Sequence, residues 1–515
     1  MNGHGEQNRI FVLKRLAGAP AVRLILLFVL VLLALLWFAP QLAFSLATPG
    51  NGPGGVGTTN GSSTLELWLR ADRGVFSDSG CTTPAANGNN AGCWQDQSGN
   101  GANANQTISG NQPVYTTGSV NGQPVLTFAG NQVLNSGSVT LSELTVFVVF
   151  NASNAGIVYE HNDRVGGGPG SNLFTSDICT VTVNRAGLES TKTLSPNWGT
   201  GGINRIVTQA IDGTHSGHTL SINNLSQAMT NCFAANDPGS SSLASNVYIG
   251  AQANVACCGL QGNIAELIFF NENLPTVQKI LIENYLSSKY GITLGANDYF
   301  DGDTNANGDF DLDVAGIGRF GGVSHAEAQA AGMVVVNGTF LNADGDWLLF
   351  GHNTVTNGNT TADLPAGGDW DGVNDQRWLR SFYFDRTDAG TAGGTVDLIF
   401  DFSDGGMTGS PAGTATNYRL LTRAGATGTF AEIAGACVTG GTSIAGDRVT
   451  FSGVDVTCLG SNFTLGTIDV VNSPTAVSLE STAIATQPSG LLVIAACVLT
   501  LGLGSFWICL RNRPE

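Results

Sequence analysis

Apolar and polar residues alternate with a period of two along most of this chain, and a period of 3.6 is nearly absent. In the first half the alternation comes in short runs: LELWLRAD (65–72), QPVLTFAG (123–130), LTVFVVF (144–150), NRIVTQAID (204–212), HTLSINN (218–224), NVYIGAQ (246–252) and NIAELIFF (263–270). Turn-forming Asn-Gly and Ser-Gly pairs lie between them. Short strands at such intervals predict a β-sandwich or jelly roll over 64–295. A second series predicts another sandwich over 296–468: MVVVNGTFL (333–341), DWLLFGHN (346–353), RWLRSFYFDR (377–386), GTVDLIFDFS (394–403), NYRLLTRA (417–424), RVTFSGV (448–454) and NFTLGTI (462–468). The fold class expected is therefore all-β, two consecutive sandwiches.

One stretch breaks the pattern. In NLPTVQKILIENYLSSKYGITL (273–294), Val277, Ile280, Leu281 and Tyr285 share a helical face, Pro275 suits the first helical position and Gly291 suits the residue just past the end. A single helix closing the first domain is expected there. Two longer apolar runs lie at the chain ends. LILLFVLVLLALLWFA (24–39) follows Arg9, Lys14, Arg15 and Arg23 and precedes the small-x-small site Ser45-Leu46-Ala47, as in a signal peptide or signal anchor over 1–47. GLLVIAACVLTLGLGSFWICL (490–510) carries no charge and is closed by Arg511 and Arg513, which fits a transmembrane or sorting helix over 489–510 with a cytoplasmic tail at 511–515. The composition of 48–63 reads as a linker and that of 469–488 as a stem. An extracytoplasmic, membrane-anchored protein follows.

Charge narrows the partners. The chain holds 21 Lys plus Arg against 39 Asp plus Glu, and the exported part, without six basic and two acidic residues in the tails, is near −22. Nucleic acid needs basic patches and is excluded as a partner. Of ten cysteines, eight lie between the two apolar runs, and no paired CxxC spacing suggests zinc. Disulfides are expected in an oxidising compartment, with Cys81–Cys93 and Cys437–Cys458 closing short segments, and pairing among Cys179, Cys232, Cys257 and Cys258 left open.

The densest chemistry is DGDTNANGDFDLD (301–313), with five Asp and two Asn. An EF-type calcium loop places oxygens at positions 1, 3, 5, 7 and 9, Gly at 6 and a bidentate acid at 12. Counting from Asp303 gives Asp303, Asn305, Asn307, Gly308, Asp309 and Asp311, then Val314 where the acid belongs. Asp301 and Asp313 supply the remaining oxygens. Hard oxygen donors without His or Cys select Ca²⁺, and the position of the loop after the helix makes it a structural ion bracing a joint. Against this stands a merely solvated Asp/Asn turn.

Three stretches resemble a known arrangement. LELWLRADRGV (65–75), CWQDQSGNGANANQ (93–106) and QPVLTF (123–128) look like the start of a laminin-G-like, concanavalin-type jelly roll of bacterial surface proteins, and AELIFFNENLPTVQKILIENYLSSKYGITL (265–294) like its last strand and helix. DLDVAGIGR (311–319), DGDWLLFGHN (344–353) and RWLRSFYF (377–384) resemble an uncharacterised domain that follows such jelly rolls. The C-terminal run resembles bacterial sorting signals, although neither PTAVSLE (474–480) nor TQPSG (486–490) is an LPxTG. The resemblance implies sugar or protein binding, or a spacing role, and brings no catalytic residues.

Enzymatic signatures are weak. GxSxG, GxxxxGK[ST] and HExxH are absent, and a glycosidase would need two carboxylates facing each other about 5–9 Å apart. Asp397, Asp401 and Asp404 come nearest, but read as outward or turn residues. His215 and His218 read as a hairpin loop, and Asp96 as a turn cap. Aromatics stack on sugar rings; Trp94, Trp198 and Tyr159 fall in or beside expected loops, while Trp68, Trp347 and Trp378 fall in strands. The reading is a non-catalytic cell-surface binding or adhesion protein for a glycan or protein ligand, with a structural spacer and, further off, a polysaccharide-acting hydrolase as alternatives.

Overall fold

Period-two patterning is realised as four antiparallel sheets in the computed structural model, which describes residues 50–468 apart from 163–168, 176–178, 195–197, 254–257, 373, 391, 409, 412 and 461. The terminal stretches 1–47 and 469–515, with both long apolar runs, lie outside the described residues. Among the described residues no helix is long and apolar enough to cross a membrane.

An eight-stranded and a ten-stranded sheet enclose the first core. At the centre of the former, Leu144–Ala152 lies between Arg205–Ile211 and Gln261–Phe270, and Gln261–Phe270 also pairs with Leu65–Arg70. Facing it, Leu134–Leu141, Leu243–Ile249, Ile157–His161, Gly170–Phe174, Val181–Arg185 and Leu188–Thr193 run side by side. Side chains alternate across each strand, so Val146, Val148, Phe150, Leu267 and Phe269 of one sheet meet Tyr159, Leu173, Val181, Val247 and Ile249 of the other. A nine-stranded and a five-stranded sheet repeat the scheme, with Leu348, Phe350, Phe382 and Phe384 set against Val335, Leu398, Phe400 and Phe451. The expected strand RWLRSFYFDR is split into Gln376–Trp378 and Phe382–Thr387, because Arg380 turns away to donate to the carbonyls of Thr354, Ala331 and Val355.

The helix, Thr276–Tyr290, ends at Gly291 in the left-handed conformation (φ 60°), as its sequence predicts. Its burial differs from the expected one-sided stripe: Glu283, Asn284, Ser287, Ser288 and Lys289 are buried along with Val277, Leu281 and Tyr285. The cause is a third apolar cluster, in which the helix joins Trp68, Phe147 and Phe270 on one side to Phe300, Phe310, Val314, Trp347 and Leu349 on the other. The glycine-rich stretch that reads as a linker also enters this region. Gly52 to Val56 are buried, Gly55 O accepts from His325 Nε2, and Gly54 bridges to Ala315. A Cβ on Gly55 (φ +80°) would stand 2.6 Å from the Cβ of Ala328, so glycine is the residue that fits.

Disulfides join Cys81–Cys93 and Cys437–Cys458, as the spacing suggests, and Cys179–Cys232, which the sequence left open. Cys258 is also disulfide-bonded.

Candidate functional site

Two places bring chemistry-bearing side chains together: the joint around the helix, and a hollow on the outer face of the ten-stranded sheet.

At the joint the central group is Glu266, fully buried on Gln261–Phe270. It accepts from Trp68 Nε1 (2.6 Å), Tyr285 Oη (2.9 Å), Tyr290 Oη (2.8 Å) and Lys289 Nζ (2.7 Å). Lys289 also reaches Asp72 (2.8 Å), Asp72 pairs with Arg70, Arg70 lies 3.5 Å from Asp313, and Asp313 accepts from His352 Nε2 at 3.1 Å. The charges therefore alternate along one line from the first sandwich to the second. Burial alone would push Asp72 and Asp313 up; Lys289 and Arg70 around the first, and His352 and Arg70 around the second, outweigh it and hold both well below the usual carboxylate range.

The acidic turn lies beside this line and is built differently. Phe300 and Phe310 anchor its two ends in the apolar cluster, and Gly308 (φ +108°) and Asp309 (φ +61°) make its sharp bend. Of the predicted calcium oxygens, Asp313 is held by Arg70 and His352, Asn307 Nδ2 donates to Asp301 O at 2.8 Å, and Asp301, Asn305 and Asp309 face solvent. Asp303 and Asp311 are half-buried, and each is pushed up to about 6, first by burial and then by neighbouring carboxylates. Among the described residues no three His, Cys, Asp or Glu side chains are arranged as metal donors. The turn as built thus does not fit an EF-type ring of ligands.

The aromatics expected on loops belong to the core. Trp94 and Tyr159 are fully buried and Trp198 nearly so, all in the first apolar cluster, with Trp198 edge-on to Phe150 and Tyr159 edge-on to Phe269. Trp68, Trp347 and Trp378 are buried, as their strand positions predict. Asp96 caps its turn, accepting from the amides of Trp68, Ser98 and Ala102. The three carboxylates nearest to a glycosidase pair have other partners: Asp397 accepts from Gly453 N, Asp401 pairs with Arg448 at 2.8 Å, and Asp404 accepts from Gly332 N. His215 and His218 both approach Ser190 Oγ, and burial pushes the imidazole of His218 down to about 3.

The aromatic that does reach a recess is Tyr248, which the sequence did not single out. Residues directly opposite in a sheet share a face, and the pairings Asn105–Asn135, Asn135–Tyr248 and Tyr248–Glu160 lay these side chains in one row on the face opposite the core. At the end of the row is a hollow of about 510 Å³, lined by Asn105, Gln106, Thr107, Asn111, Asn135 and Tyr248, with the exposed Ile108 among them. Glu160, fully buried, accepts from Ala253 N behind it. The carbonyl oxygen of Asn135 is buried with no hydrogen-bond partner. Such a surface sets side-chain amides and a threonine around an aromatic ring, and none of the described residues lining it is an acid or a base.

Comparison with known proteins finds a family model similar to part of the chain. Residues 278–458 match the model of a domain of unknown function (DUF8202). No curated protein matches the chain. Among solved structures, domain 4 of AbnA, a GH43 extracellular arabinanase from Geobacillus stearothermophilus, in complex with arabinotriose, is similar over 42% of this chain and 95% of that one, at 13% identity and a TM-score of 0.27. Trypanosoma rangeli sialidase is similar at 13% identity and a TM-score of 0.25, with 50% of this chain and 38% of that one covered. For the botulinum neurotoxin type G receptor binding domain the values are 12%, 0.28, 66% and 73%. Likeness this slight assigns neither topology nor ligand.

Proposed function

We propose that this chain is a non-catalytic, cell-surface binding protein whose first, laminin-G-like sandwich takes a glycan in the hollow beside Tyr248. The observation that carries the proposal is that hollow, an uncharged recess lined with side-chain amides, a threonine and one tyrosine ring. Sugars present hydroxyls in pairs and an apolar ring face, which amides and aromatic rings match. Export through the N-terminal apolar run and retention by the C-terminal helix as an adhesion protein belong to the same proposal, supported by the disulfides and by the acidic balance of the chain. The test is a glycan array probed with the purified chain and with Tyr248→Ala. Binding of the parent that the variant loses supports the proposal; the same spots lit by both proteins, or none by either, overturns it.

A second reading, an envelope spacer, is favoured by the joint. An apolar cluster and an ion-paired line running through the helix join the two sandwiches, as a stiff rod needs. Calcium enters this reading only as a cation relieving repulsion between Asp303 and Asp311.

A further inference from the structure

We infer that the ligand of the Tyr248 hollow is an uncharged, hydroxyl-rich sugar and that acidic glycans are turned away; this rests on the glycan-binding proposal and deepens it. Carboxylates, sulfates and phosphates are recognised by Arg forks, Lys ammonium groups or clustered backbone amides. None of the described residues lining the hollow is Arg or Lys. The one ionisable carboxyl in the cross-strand row is acidic: Glu160 pairs directly with Tyr248, so its side chain stands on the same face immediately behind the ring. It is fully buried and accepts from Ala253 N, so it offers an incoming acid group no cation. The body near −22 adds a long-range field of the same sign.

The hydrogen-bond inventory points the same way. Asn135, which lines the hollow, has a buried side-chain oxygen with no hydrogen-bond partner among the described residues. Acceptors call for donors, and a sugar hydroxyl donates whereas an ionised acid group only accepts. Asn111 brings an amide that can donate to and accept from neighbouring hydroxyls of one ring, while Gln106 is held in the wall by Val133 O and Ile108 N and Asn105 Nδ2 by Asn103 O. Tyr248 supplies the apolar face, and the exposed Ile108 extends it.

The test immobilises three sets of oligosaccharides of matched length: neutral hexose and pentose oligomers, uronic-acid oligomers, and sialylated or sulfated chains. The full chain, Tyr248→Ala, Tyr248→Phe and Asn111→Ala are applied at 50 mM and 500 mM NaCl. Binding confined to the neutral set is expected, with at least a tenfold loss in Tyr248→Ala, near-parent binding in Tyr248→Phe, a smaller loss in Asn111→Ala and less than a twofold change with salt. Circular dichroism and the melting midpoint verify that each variant is folded; if Tyr248→Ala is not, Asn111→Ala carries the comparison. Tyr248-dependent binding to an acidic set that weakens with salt would overturn the inference and leave the glycan-binding proposal standing. No Tyr248- or Asn111-dependent binding to any set would sink both.

Discussion

Asp311 and Asp313 are two residues apart and titrate in opposite directions. Asp313 sits between Arg70 and His352, which outweigh burial and hold it well below the ordinary range; Asp311 is pushed up to about 6, first by burial and then by Asp309 and Asp303. The difference is one of partners. The line Glu266–Lys289–Asp72–Arg70–Asp313 alternates in sign and ends on the imidazole of His352, which burial pushes down, so each carboxylate has a donor or cation beside it. In the turn at 301–311 the partners are neutral donors, Ser288 for Asp303 and Asn121 Nδ2 at 3.5 Å for Asp311, and they do not offset burial and the neighbouring carboxylates. Counting acids in the sequence treats these as one feature, yet the first region is a stabilised joint and the second is a store of repulsion next to it.

Breaking the compensated side should have the largest effect. Lys289→Met leaves the fully buried Glu266 without its cation and Asp72 with Arg70 alone, and removing one member of a buried pair costs about 3–5 kcal/mol. Denaturant unfolding should register that loss; a change below about 1 kcal/mol would mean that Trp68, Tyr285, Tyr290 and Arg70 suffice to hold the two carboxylates. A smaller effect is expected at Glu283, buried on the helix under Thr208 Oγ1, Ser221 Oγ and Asn224 Nδ2. Burial pushes its carboxyl up to about 7. A raised acid contributes stability below its unfolded value of 4.5 that is lost as pH rises through 7, so stability should fall over that interval by about 2–3 kcal/mol. In Glu283→Gln the slope should flatten. An unchanged slope would place the titration elsewhere.

The strands with β-branched and aromatic residues were legible, because Leu144–Ala152 and Gln261–Phe270 bury both faces under the other sheet or the helix. What escaped was the polar part of the ten-stranded sheet. Leu134–Leu141 reads LNSGSVTL and Thr230–Ala235 reads TNCFAA, with turn-like composition, yet both are held as strands by their neighbours. The Tyr248 hollow is made of that part, so its row of side chains is set by register between strands far apart in sequence. Only the alternation Val247-in, Tyr248-out, Ile249-in was there to be read. The loop aromatics failed for a related reason: Trp94 lies on a two-residue strand, Cys93–Trp94, too short to show a period. The acidic turn was visible from composition, but the withdrawal of Asp313 by Arg70 depends on a residue more than 200 positions away.

The finest test of the contrast is to neutralise the uncompensated side. Asp303 and Asp311 have raised carboxyls, so the stability they contribute is present below 3.8 and lost as pH rises through about 6. Both are only partly buried, and solvent screening reduces the effect to the order of 1 kcal/mol for the pair. Asp303→Asn with Asp311→Asn should therefore raise the melting midpoint by a few degrees at pH 7 and leave it nearly unchanged at pH 4. A cation acting here would do the same to the parent: adding Ca²⁺ after EDTA should raise the midpoint at pH 7, by about 2.7 kcal/mol of native-state stabilisation at a hundredfold excess over Kd. The double variant should not respond. A Ca²⁺ response that survives the double substitution would put the ion elsewhere, and a double variant less stable than the parent at pH 7 would show that the bonds from Ser288 to Asp303 and from Asn121 to Asp311 outweigh the repulsion.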